Sequence, residues 1–365
     1  MAAKKEVFHG SDLEKIEAVY GIKKEAITSF SANVNPLGIS TRLRRELTDH
    51  LDAITTYPDR DYKELRDVMA AYTGTHPDRI IVGNGSTELI SLSIRVREPK
   101  KAIIIGPTYS EYEREIRLGG GSAKYYPLKE ENDFNLDITA FCQYLTDDID
   151  LCIICNPNNP TSTAIDRAGM RRILDACLSH GIFVVVDETY VEFAPDSRGI
   201  TAVPLTDIYS NLLILRGTSK FFAAPGLRLG YAITGNRDLR EAINNRKNPW
   251  TANSLAEIAG RIMLTDTDYI EATKTLINEE RNRMISALEA LGTVKVYPAD
   301  ANFILFRILK PDVDADQLFE HCIRKGLMIR NCASFPFLDN SFVRFCLMEP
   351  AQNDALMEAF RELLG

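Results

Sequence analysis

Short apolar runs rich in β-branched residues punctuate the middle of the chain at 80–82, 101–105, 151–155, 183–186, 212–215 and 228–233. Between them lie amphipathic stretches with helical spacing, among them 61–72, 87–95 and 167–178. Strands that alternate with helical patterns predict α/β units. Runs this uniformly apolar predict a mostly parallel sheet covered by helices on both faces. From about residue 236 the pattern turns to long helices, at 255–264 and 269–291, and then to a second set of strands. These fall at 294–297, 302–307, 328–330 and 342–347, with helices at 314–325 and 353–364. The expected organisation is an N-terminal arm (1–35), a large domain (36–245) and a smaller α+β C-terminal domain (246–365), the arm joined to the last of these. No internal repeat or low-complexity segment interrupts it.

Composition leaves that picture intact and narrows the function. The chain has 365 residues, of which 45% are hydrophobic and 26% charged, enough for one large core and a smaller lobe. A formal net charge of −8 with interspersed signs argues against a nucleic-acid binder. The N-terminal residues turn polar too early for a secretory signal, so the expected compartment is the cytoplasm. No apolar run approaches membrane-spanning length, and no membrane partner is expected. The 7 cysteines form no disulfide framework by count or spacing. Cys152 and Cys155, an odd offset within one apolar strand, should point to opposite faces as buried structural thiols rather than hold a metal. The 5 histidines form no cluster with ligand spacing, and no metal is expected.

Chemistry concentrates at strand ends. Ile80-Ile81-Val82-Gly83-Asn84-Gly85-Ser86-Thr87-Glu88 reads as strand, glycine turn and helix start, which aims backbone N–H groups and hydroxyls at a phosphate. A capped turn without a ligand reads the same way. A dinucleotide fold is a competitor, but Glu88 stands where that fingerprint has its third glycine. Asn156-Pro157-Asn158-Asn159-Pro160-Thr161 forms a proline-fixed loop beyond another strand, able to hold an amide over the sheet end. Asp187 closes a run of three valines, so its carboxylate is buried and needs a cation. Lys220, between Ser219 and two phenylalanines, sits where desolvation favours the neutral, nucleophilic amine. Arg228, in what reads as an apolar strand, calls for an anion. A lysine to carry a Schiff base and a carboxylate to protonate a pyridine nitrogen together suggest a pyridoxal phosphate (PLP) enzyme.

In this order the motifs resemble the class I/II aminotransferase family, the fold-type I PLP enzymes, over essentially the whole chain: Gly83 to Glu88, Gly106-Pro107-Thr108-Tyr109, Asn156 to Thr161, Asp187-Glu188-Thr189-Tyr190, Ser219-Lys220 and Gly226-Leu227-Arg228. The resemblance implies a large domain with a mostly parallel seven-stranded sheet and a smaller α+β domain. It implies Lys220 as the Schiff-base lysine and proton shuttle, Asp187 on the pyridine nitrogen, and Asn159 with Tyr190 on the phenolic oxygen. Tyr109 would stack on the ring, and Ser86, Thr87, Ser219 and Arg228 would surround the phosphate. Tyr57 matches a tyrosine that reaches the cofactor phosphate of a second subunit, which implies a homodimer.

Two positions depart from the family. Gly217 replaces the usual hydroxyl residue three positions before the lysine, removing one phosphate hydrogen bond worth about 1 kcal/mol unless Thr218 compensates. Ser162 stands where glycine is usual.

Within the family, His9-Gly10, the segment 30–38, the segment 248–253, Ile329 to Ala333 and Phe342-Val343-Arg344 look like the threonine-phosphate decarboxylase branch of cobalamin biosynthesis. Cys346 to Glu349 departs from the more basic stretch expected there. Histidinol-phosphate aminotransferases are the nearest other branch. Both act on a small phosphorylated amine or amino acid, so Arg330 and Arg344 are the expected substrate-anion ligands, with His9 and Asn33 from the arm. A nicotinamide-dependent oxidoreductase would leave Asp187, Lys220 and Arg228 without a role, and a non-catalytic binding module would not need them intact.

Overall fold

The computed structural model describes residue 8 and residues 10–365; His9 therefore lies outside the described residues. In chain order the strands are β1 (Thr28–Ser29), β2 (Ile80–Gly83), β3 (Lys101–Gly106), β4 (Ser122–Pro127), β5 (Leu151–Cys155), β6 (Phe183–Asp187) and β7 (Leu212–Gly217). There follow β8 (Gly230–Ile233), β9 (Val294–Val296), β10 (Phe303–Ile308), β11 (Leu327–Met328), β12 (Arg330–Asn331) and β13 (Phe342–Cys346). Seven form one sheet in the order β2-β8-β7-β6-β5-β3-β4. Only β8 runs against its neighbours.

Its inner strands β5, β6 and β7 are buried along their whole length. Side chains alternate between two apolar layers: Cys152 and Ile154 join one, Ile153 and Cys155 the other. The two cysteines thus face opposite ways, as their odd spacing predicted. The edge strand β4 alternates exposed and half-buried residues, and its polar Ser122-Ala123-Lys124-Tyr125 start concealed it from the apolar pattern.

A four-stranded antiparallel sheet, β12-β13-β10-β9, follows the 23-residue helix Thr267–Glu289. The apolar layer that holds Cys152 continues without a break into this second sheet through Phe221, Phe303 and Phe345. The N-terminal segment ties in as well, because β1 pairs in parallel with β11. Among the described residues, no helix is long and apolar enough to cross a membrane.

One expectation needs correction. Arg228 does not lie in a strand: it follows the short turn Pro225–Leu227 with φ 56°, exposed, and β8 begins at Gly230. Pro225 and Gly226 end the regular structure there, so the apolar run begins two residues later than its hydrophobicity suggests.

Candidate active site

Because β2, β3, β5, β6 and β7 point the same way, the loops leaving their carboxyl ends meet at one end of the sheet, where open α/β sheets bind ligands. Those loops bring Ser86, Tyr109, Asn159, Asp187 and Lys220 to one region.

Asp187 closes β6 and is 4% exposed. Its Oδ1 accepts from the Thr189 amide at 2.9 Å and the Thr189 hydroxyl at 2.5 Å, and its Oδ2 accepts from the Tyr112 hydroxyl at 2.6 Å. Burial pushes its pKa up, against the pull of these three donors. The carboxyl has no lysine, arginine or histidine bonded to it among the described residues.

Lys220 leaves the loop after β7, and its Nζ donates to the Ala32 carbonyl at 2.6 Å. Burial, reinforced by the Arg344 charge and less by Arg228, pulls its pKa down to about 8. The amine is thereby neutral in a larger fraction near physiological pH than an exposed lysine would be. The facing segment is pinned by Lys220 itself, whose carbonyl accepts from the Asn35 amide at 3.0 Å.

That segment, 31–35, forms one wall. Asn33, at φ 56°, donates from Nδ2 to the Tyr190 hydroxyl at 3.3 Å, and Asn302 donates to its carbonyl at 3.1 Å. Tyr190 is buried with its phenol pushed up by desolvation, its ring edge-on to Phe303 at 5.0 Å. Arg344 reaches both sides: Nη1 bonds Asn159 Oδ1 and Nη2 donates to the Ser31 carbonyl at 2.6 Å. Ser31 Oγ, Asn33 Oδ1 and Arg344 Nε are buried with no protein partner among the described residues, which is the signature of groups that await a ligand.

Arg330 pairs in register with Arg344 across β12 and β13. Its Nη1 bonds the Phe8 carbonyl, its Nη2 donates to Ser334 Oγ at 2.8 Å, and its guanidinium lies 5.4 Å over the Phe335 ring. Desolvation, then Arg344, lowers its pKa to about 10.

On the other flank, the helix Gly85–Arg97 starts at the end of β2. Gly85 has φ 76°, and a β-carbon there would lie 2.4 Å from Arg228 Nη2, so only glycine permits both the turn and the guanidinium above it. A β-carbon at Gly217 would lie 3.7 Å from both Ser86 Oγ and Ser219 Oγ. Ser86, Ser219 and Arg228 thus converge on the start of the helix whose first turn also carries Thr87, a ready anion cradle. Thr218 turns away: its hydroxyl donates to the Leu229 carbonyl at 3.1 Å and cannot replace the hydroxyl missing at Gly217.

Tyr109 is 37% exposed above this region, with its ring edge-on to Tyr112 at 5.6 Å. Tyr57 makes its ring contact elsewhere, with Trp250 at 4.6 Å, and is 77% exposed. A separate cleft of 560 Å³, lined by Arg60, Tyr62, Lys247 and Trp250 among others, includes none of the candidate site residues. Sequence reasoning missed Tyr112, Ser31 and the Ala32 carbonyl. Tyr112 meets Asp187 across 75 residues of sequence, and no local spacing signalled that contact.

An uncompensated buried carboxyl, a neutral-leaning buried lysine and an anion cradle at one sheet end define a fold-type I PLP enzyme. These residues fit the cofactor: a pyridinium nitrogen would supply the cation Asp187 lacks, and a phosphate would supply an anion for Arg228. The chain belongs to the aminotransferase class I and II family, whose model matches residues 25–360. That family comprises PLP-dependent aminotransferases and decarboxylases. The threonine-phosphate decarboxylase of Salmonella typhimurium is 34% identical over 98% of this chain and 96% of its own. Among solved structures, the histidinol-phosphate aminotransferase of Clostridium acetobutylicum superposes with a TM-score of 0.86 at 33% identity, covering 92% of this chain and 98% of that one. L-threonine-O-3-phosphate decarboxylase from Porphyromonas gingivalis superposes with a TM-score of 0.81 at 27% identity, covering 92% and 98%.

Proposed function

We propose that this chain is a PLP-dependent decarboxylase that converts L-threonine O-3-phosphate to aminopropanol phosphate and CO2. The observation that carries the reading is the buried register pair Arg330 and Arg344 beside Lys220. Two guanidiniums at one wall suit a substrate bearing both a phosphate and a carboxylate. The 34% identity to the Salmonella decarboxylase supports it independently.

Bound PLP supplies an electron sink for the pair released when a bond to the substrate Cα breaks. The chain's own residues do the rest. Lys220 Nζ anchors the cofactor and is the group placed to return a proton to Cα. Asp187 would keep the pyridine nitrogen protonated, Asn159 and Tyr190 would flank the phenolic oxygen, and Tyr109 would cover the ring. Ser86, Thr87, Ser219 and Arg228 hold the cofactor phosphate. Arg330, Arg344 and Asn33 orient the substrate anions, with His9 from the arm. The bond to Cα held perpendicular to a bound cofactor's ring would be the one to break, so the placement of the substrate anions by these ligands would decide between carboxylate loss and proton loss.

A second reading, histidinol-phosphate aminotransferase, is favoured by the 0.86 superposition on the Clostridium enzyme. The two separate in one experiment. The PLP-loaded protein is given L-threonine O-3-phosphate alone, then histidinol phosphate with 2-oxoglutarate. CO2 from the first mixture supports decarboxylation; glutamate from the second, without CO2 from the first, replaces it with transamination.

The same reading assigns 1–35 as an arm, 36–245 as the cofactor-binding domain and 246–365 as a smaller domain, in a cytoplasmic homodimer. The exposed Tyr57, its ring tilted against Trp250, is the residue a second subunit would receive at its cofactor phosphate. A sedimentation mass of one chain would rule this assembly out.

A further inference from the structure

We infer that Tyr112 is a positioning residue for Asp187, and that with Thr189 it leaves the carboxylate one acceptor direction free, the one that faces the cofactor nitrogen. This rests on the assignment of Asp187 to that nitrogen. A carboxylate has about four lone-pair directions. Two on Oδ1 are taken by the Thr189 amide and hydroxyl, and one on Oδ2 by Tyr112 at 2.6 Å. Tyr112 is 1% exposed, on the helix Glu111–Leu118, and its hydroxyl points across to the end of β6.

The other titratable groups around the carboxyl are Tyr109, Cys155 and Tyr190, from three different loops or strands. Burial holds all three in their neutral forms, so none adds a negative charge beside the carboxyl, and neither a phenol nor a thiol can supply a positive one. Within the apo site, hydrogen bonds alone oppose the upward shift that burial imposes on the carboxyl, and Tyr112 is the side chain outside its own loop that provides one. A carboxylate pinned this way cannot swing to share two oxygens with an incoming ligand.

The test replaces Tyr112 by Phe, which keeps the ring and removes the donor. Infrared spectroscopy of the full apo chain, with Asp187→Asn as the blank, follows the protonated carboxyl band against pH. The midpoint for Asp187 should rise by about one unit in Y112F. Fluorotyrosine at position 112, a stronger donor, should move it the other way, a response that mere space-filling would not produce. PLP affinity measured by equilibrium dialysis should weaken about tenfold in Y112F. An unmoved midpoint in both variants overturns the inference. A moved midpoint with unchanged PLP affinity upholds the Tyr112 contact and overturns the assignment of Asp187 to the cofactor.

Discussion

Arg330 and Arg344 sit directly opposite one another on antiparallel strands, both largely buried. Like charges in that relation destabilise a sheet. Arg344 meets only neutral acceptors, Asn159 and the Ser31 carbonyl; Arg330 has Phe8 and Ser334, with Asp12 acting at longer range. Replacing Arg344 by Gln should raise KM for the phosphorylated substrate about 10- to 100-fold, the worth of a charged hydrogen bond. The unfolding midpoint of the apo protein should hold or rise, because the variant removes a repulsion. Steady-state kinetics and urea melts together check both halves.

Lys220 carries its own pH signature. Its folded pKa of about 8 lies below the unfolded value near 10.5, so between those limits the unfolded chain binds the extra proton. Stability therefore rises with pH across that window, and the full penalty applies below it. In Lys220→Met this contribution vanishes. Apo wild type should gain on the variant by roughly 2 kcal/mol between pH 8 and pH 10 in paired urea titrations. A pH-independent difference would mean the amine is already solvated.

Gly217 offers a gain. A β-carbon there meets Ser86 and Ser219 only at an ordinary 3.7 Å, its φ is not left-handed, and Thr218 is committed to Leu229. Gly217→Ser should tighten PLP binding several-fold, about 1 kcal/mol, when apo protein is titrated by fluorescence. Weaker binding would show that the cradle is already saturated.

Arg216 serves the fold rather than the ligand. Buried beside the site, it bonds Glu188 at 2.7 Å and Glu192 at 2.9 Å. Removing it strands two buried carboxylates, one already with an oxygen lacking a partner. Arg216→Met should cost about 3–5 kcal/mol in urea unfolding.

What could be read from the chain follows physical lines. Asp187 and Lys220 stood out because polar groups next to buried strands demand partners. Helices such as Arg167–Ser179 and Thr267–Glu289 matched their periodic patterns within two residues. Strand β4 escaped because an edge strand need not be apolar. Arg228 was misplaced because hydrophobicity continues through a turn that Pro225 and Gly226 impose. Tyr112 and Ser31 act through contacts far apart in sequence, which no local pattern encodes. Ser162, at φ 64° where glycine would be easier, keeps its place because its Oγ accepts from the Ala301 amide at 2.9 Å. Local expectation had no access to that compensating bond.

The wall formed by residues 28–33 borrows nearly all its backbone partners from the far end of the chain. The Thr28 amide bonds the Gly326 carbonyl, Phe30 accepts from the Cys346 amide at 2.7 Å, Ser31 from Arg344, and Asn33 from Asn302. During synthesis these early residues therefore lack part of their backbone bonding until residue 346 has left the ribosome. The wall is completed late by one of the first segments made, whereas Asp187, Lys220 and Arg228 all leave the ribosome before β13.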